Sequence, residues 1–142
     1  NQDDLWNIYY MRGICYERKD NWELAEKDFL KSLELQPGTP NVLNYLAYGW
    51  VERDIKLDRS LKMLEEAYKA NPDSFYIIDS LAWAYFKRNN LEEAARLMGG
   101  LVELFNIKEA AFAASWFSIK HEIAIALNSV GKTIVRVVPA GT

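Results

Sequence analysis

The 142-residue chain contains one cysteine, Cys15, and one histidine, His121. A single cysteine excludes an intrachain disulfide, and it leaves cytoplasmic and periplasmic settings equally open. A single histidine excludes a histidine-rich metal cluster, and no serine or cysteine sits in a recognisable nucleophile setting. There is no surplus of basic residues: 17 Lys and Arg stand against 20 Asp and Glu, for a net charge of -3 and a pI near 5.2. That balance gives no electrostatic footprint for nucleic acid. No apolar run reaches the roughly 18 to 20 residues of a membrane span. Even residues 110–119 are interrupted by Ser115 and Ser118 and followed by Lys120, His121 and Glu122. What remains is a chain that is half apolar, enough for a real core, and of a length suited to one domain or a piece of a larger protein. Its first residue is Asn1 rather than Met, which reads as a piece cut from something longer.

Internal repetition organises most of the chain. Ala82 and Tyr85 lie 35 residues beyond Ala47 and Trp50, which lie 34 beyond Gly13 and Tyr16. A second set of small residues follows each aromatic: Ala25, Ser60 and Ala94. Pro37 and Pro72 close the first two units, 35 residues apart. One extra residue in "RDIKLD" accounts for the longer second unit. Each unit reads as helix, polar turn, helix. Small side chains let two helices approach, the aromatics fill the groove beside that contact, and proline stands where the helix must already have ended.

These residues resemble the tetratricopeptide repeat family, with wording such as "LNYLAYGW" closest to bacterial members. The resemblance spans Leu5 to Met98. It rests on Gly13, Tyr16, Ala25, Phe29, Ser32 and Pro37, then on Ala47, Trp50, Ser60, Leu64, Ala67 and Pro72, then on Ala82, Tyr85, Ala94 and Met98. It implies an all-α right-handed superhelix of three hairpins, over residues 5–38, 40–74 and 75–106. It implies no enzyme activity and no cofactor. The first helices would line a concave groove that holds a protein or peptide partner.

The pattern changes after Met98. Leu101 stands where Ser32 and Ala67 offer a small slot, Gly99 and Gly100 weaken the helix, and charged residues thin out. Residues 107–142 are expected to form a non-repeat cap. Within it, residues 108–119 read as a helix with Phe112, Trp116 and Ile119 on one stripe. Beyond it, Ile123, Ile125 and Leu127 alternate against Ile134, Arg136 and Val138 as a short β-hairpin around "NSVG". The alternative is a longer helix and one strand that pairs with another copy, which would make this segment a homo-oligomer contact.

Chemical motifs are weak. "ALNSVGKT", residues 126–133, fits a loose phosphate-loop pattern, but it lacks the first glycine and is followed by a strand-like run rather than a helix. A turn with a solvated lysine is the better reading. The acidic pairs Glu65-Glu66 and Glu92-Glu93 read as solvated helix faces, with Lys69 and Arg96 as partners one turn on. Cys15 reads as a small buried filler on an apolar stripe, and His121 as a surface or boundary residue.

Counting along the first helices places Tyr10, Ile14 and Glu17, then Asn41, Asn44, Tyr48 and Val51, then Tyr76, Asp79, Trp83, Phe86 and Lys87 on the groove. A clamp for chaperone C-terminal carboxylates, known in some family members, is not matched: Tyr10 and Ile14 replace its lysine and asparagine, and only Asn44 agrees. The aromatic side chains suit an apolar peptide or helix instead, with Asn41 and Asn44 bonding its backbone. The chain's own apolar C-terminal segment is the competing occupant.

Overall fold

A computed structural model describes residues 4–104. It consists of six α-helices: α1 (Leu5–Arg18), α2 (Trp22–Leu35), α3 (Pro40–Glu52), α4 (Leu57–Ala70), α5 (Phe75–Lys87) and α6 (Leu91–Leu104). No strand occurs among the described residues. The expected cap over residues 107–142 lies outside them, with its helix, its β-hairpin, His121, the "ALNSVGKT" turn and the proposed oligomer contact. The side chain of Leu101 is likewise outside the description.

Each hairpin turn is built the same way. Asp20, Asp54 and Asn89 adopt the left-handed conformation, with φ of 57°, 53° and 59°. Short polar side chains tolerate that region better than most. The next amide donates back to the end of the first helix: Asn21 to Tyr16, Ile55 to Trp50 and Asn90 to Tyr85, at 2.9, 3.0 and 2.8 Å. This six-to-one bond satisfies a carbonyl the helix would otherwise leave open. The second unit's extra residue is Lys56, itself left-handed at φ 50°, so that residues 53–56 make a four-residue turn where the others need three. Between hairpins, Gly38 turns the chain at φ 72°, and Pro40 opens α3 where a missing N–H costs nothing.

The repeat residues form the core. Ala25, Phe29, Ser32, Ala47, Trp50, Ser60, Leu64, Ala67, Ala82 and Ala94 are all sealed from solvent. Within the first hairpin, Gly13 lets α1 sit on the Phe29 ring, whose edge would lie 2.7 Å from any added Cβ. Between hairpins, Gly49 of α3 receives the Trp22 indole of α2, and an added Cβ would overlap that ring outright. Ser32 Oγ donates to the Trp6 carbonyl at 2.9 Å, closing the first unit across its two helices. Each second helix packs on the next first helix, α2 on α3 and α4 on α5. The first helices α3 and α5 also touch directly, whereas α2 and α4 make at most marginal contact. The first helices α3 and α5 thus lie side by side, and α1 reaches α3 through the Tyr10 and Tyr45 rings.

Two expectations about burial are corrected. Cys15 is exposed, not a core filler, because its stripe of α1 has no element packed against it. Val51 is fully buried as part of the core cluster, not on the groove. Bonds on the acidic faces also run outside the expected i, i+4 scheme: Arg96 bonds Glu93 at 2.9 Å, and Glu65 accepts from the Tyr85 hydroxyl at 2.7 Å.

Candidate functional site

The face made by the first helices gathers the expected residues unevenly. From α1, the Tyr10 ring is drawn inward. It lies 6.3 Å from Phe29 and edge-on to Tyr45 at 5.6 Å, and burial pushes its hydroxyl up to about 12. Ile14 is half-buried against the core. These two serve the joint between the first and second hairpins. Tyr45, absent from the expected set, belongs with them. Its signal was present as an aromatic one turn before Gly49, but it falls off the helix face used for the count.

The middle of the face is a cluster around Tyr48. This tyrosine is half-buried, with the Glu52 carboxylate near its hydroxyl. Desolvation, then the nearby Glu52, Asp79 and Glu17 carboxylates, push it up to about 12. The Trp83 indole N–H donates to the same Glu52 at 2.6 Å. Glu52 thus ties α3 to α5 by accepting from the Trp83 ring. Trp83 stacks on Phe86 at 5.2 Å with planes 13° apart. The Lys87 ammonium lies 5.3 Å above the Trp83 ring and bonds Asp54 at 2.9 Å. The face is therefore not a continuous apolar wall: carboxylates separate its rings. Glu52 was passed over in the sequence because it lies one residue beyond the helical positions counted.

Two polar atoms in this cluster have no partner. The Oδ1 atoms of Asn44 and Asp79 are sealed from solvent without a hydrogen bond. Burial alone pushes the Asp79 carboxyl up to about 6. An unsatisfied buried oxygen costs about 1–3 kcal/mol, so native chains keep few of them. At the outer edge, Asn41 is exposed, and Tyr76 is 60% exposed with its ring 3.9 Å from Phe75.

Charged groups elsewhere are engaged in structure. Arg12 grips the buried Asp28 through two bonds of 2.6 and 2.8 Å, flanked by the Tyr9 and Tyr16 rings. A shallow cleft of about 510 Å³ opens beside that pair between α1 and α2, away from the first-helix face. Glu26 accepts from Trp50 and Lys56 at 2.6 and 2.5 Å. Among the described residues no group of three or more His, Cys, Asp or Glu could hold a metal, and no helix is long and apolar enough to cross a membrane.

Stacked helix-turn-helix units with these small-residue contacts define an α-helical repeat protein. A family model for the tetratricopeptide repeat matches residues 6–39, the first hairpin and its connector. A TPR repeat-containing protein of Pseudomonas aeruginosa is 27% identical over 109 residues, which is 77% of this chain. The matched region spans 18% of that relative's length. The NMR structure of the first TPR domain of the human RPAP3 protein superposes with a TM-score of 0.75 at 17% identity, covering 93% of this chain and 99% of that one. The chain is thus similar to tetratricopeptide repeat proteins, in sequence over its first hairpin and in fold over most of its length. Such repeats generally mediate protein–protein interaction, on folds that are generally non-catalytic scaffolds.

Proposed function

We propose that the first-helix face binds an extended or helical peptide of a protein partner and does no chemistry of its own. The peptide lays apolar side chains against Tyr48, Trp83, Phe86 and Tyr76. The exposed Asn41 side chain at the outer edge bonds the peptide backbone, and Asn44 and Asp79 lie beneath the rings. Ile14, Asn41 and Lys87 flank this strip, and Tyr10 supports it from beneath. The observation that carries the reading is the cluster of partly exposed rings, Tyr48, Trp83 and Phe86, on adjacent first helices, with Tyr76 open at its edge.

Aromatic rings supply the remaining affinity at small entropic cost. The Trp83 ring is already held by Glu52, Phe86 and Lys87, so little freedom is lost on binding. The test begins with random peptides selected on the intact chain, followed by calorimetry on wild type and variants. Trp83→Ala and Tyr48→Ala should each weaken the selected peptides by about 1–3 kcal/mol. Asn41→Ala should weaken them by about 1 kcal/mol, the worth of one hydrogen bond. Affinities unchanged in all three variants would move the peptide site elsewhere.

A further inference from the structure

The first hairpin breaks the repeat at one pair of positions. Arg12 corresponds to Leu46 in α3 and Leu81 in α5, and Asp28 corresponds to Met63 in α4 and Leu97 in α6. In the second and third units all four of these side chains are apolar and buried. The first unit puts an ion pair in the same place, with the Asp28 side chain 5% exposed and the Arg12 side chain 53%. An apolar pair fills this place well, as the other two units show, and a desolvated ion pair is rarely the more stabilising choice. Stability alone does not call for the exchange.

The geometry offers another reason. Asp28 occupies only one edge of the guanidinium, accepting from Arg12 Nε at 2.6 Å and from Nη2 at 2.8 Å. The other edge, Nη1 with the second hydrogen of Nη2, has no acceptor among the described residues. The Tyr9 and Tyr16 rings lie 5.3 and 5.9 Å from the guanidinium carbon and, with Asp28, hold its plane. Two N–H groups on one rigid planar edge match the two oxygens of a carboxylate. Arg12 lines the cleft of about 510 Å³ between α1 and α2, together with Lys27, Lys31 and Glu34. Lys31 bonds Glu34 at 2.7 Å and Arg12 bonds Asp28, whereas Lys27 has no acidic partner. The lining thus carries one positive charge in excess. A single carboxylate matches it; a doubly charged phosphate would meet Asp28 and Glu34 with too little to offset them.

We propose that this cleft takes a glutamate or aspartate side chain of an acidic protein segment, clasped by the open edge of Arg12 with Lys27 beside it. Asp28 is a positioning residue that fixes the guanidinium. The cleft lies away from the first-helix face, so the proposal does not rest on the peptide strip.

The probe is capped hexaglutamate, titrated into the intact chain and followed by NMR. It should shift the Arg12 Nε–H and the amides of Tyr9, Lys27 and Lys31, and capped hexaglutamine should not. Arg12→Leu combined with Asp28→Met installs the kind of pair the other units use and leaves the net charge unchanged. Circular dichroism should show its helices intact, and hexaglutamate should bind about tenfold more weakly or worse. Arg12→Lys keeps the charge and a bond to Asp28 but has no second planar edge, so it too should lose about tenfold. Equal shifts with hexaglutamine, or parent affinity in Arg12→Lys, would overturn the proposal. So would shifts confined to residues outside the cleft, or none at about 10 mM hexaglutamate.

Discussion

Gly13 and Asp79 illustrate two ways in which one side chain reports on the structure around it. At Gly13 the demand is steric. The Phe29 ring below it is fully buried and cannot retreat, so Gly13→Ala trades about 1 kcal/mol of helix propensity for overpacking of about 1–3 kcal/mol. The expected outcome is a net loss of about 1 kcal/mol by denaturant unfolding. At Asp79 the demand is electrostatic. Its carboxyl titrates near the ordinary value of 3.8 when unfolded and near 6 when folded. Between those values the folded state holds more protons, so stability falls as pH rises from about 4, and the deficit is complete above about 6. Asp79→Asn should therefore stabilise the chain by about 1–3 kcal/mol at pH 7.5, with the gain vanishing below pH 4. Urea unfolding at the two pH values checks it. Gly13 was legible in the sequence, because small residues recurring at intervals of 34 and 35 mark places where helices touch. The unmet oxygens of Asn44 and Asp79 were not. Their positions could be counted, but the absence of partners depends on how α3 and α5 pack.

Helices and turns were legible wherever chemistry is local. The extra residue in "RDIKLD" was visible as a shift in register, and it appears as Lys56 in the left-handed region. The inward draw of Tyr10 was not visible, because the side chain that attracts it, Tyr45, arrives from the next hairpin. Burial of Val51 was missed for a similar reason: it belongs to the core cluster, which draws on several helices. Pairing between elements yields two expectations. Ala67 on α4 is a fully buried small residue in the slot against which the next hairpin nests. Ala67→Leu should cost about 1–3 kcal/mol and loosen α5 and α6 before α1 and α2, seen as faster amide exchange in the last hairpin. Glu52 joins α3 to α5 through Trp83. Glu52→Ala should cost about 0.5–1.5 kcal/mol and shift the tryptophan emission as the Trp83 indole loses its acceptor.

The stack as a unit follows from repetition. Each hairpin leaves one apolar side unfinished and the next hairpin covers it, so stability accumulates joint by joint. The same repetition aligns α1, α3 and α5 on one face, which is why positions counted along separate helices could be combined into one candidate strip. What counting could not supply was the state of that strip: rings parted by Glu17, Glu52 and Asp79, with Trp83 pre-oriented. That arrangement suits a peptide that carries hydrogen-bond donors beside apolar side chains. The most direct measurement is amide NMR of the intact chain, titrated with a peptide selected on it. Capture by the first-helix face predicts shifts concentrated at Asn44, Tyr48, Asp79 and Trp83, with α2 and α4 little changed. Shifts centred on α2 and α4, with those four residues unmoved, would contradict it.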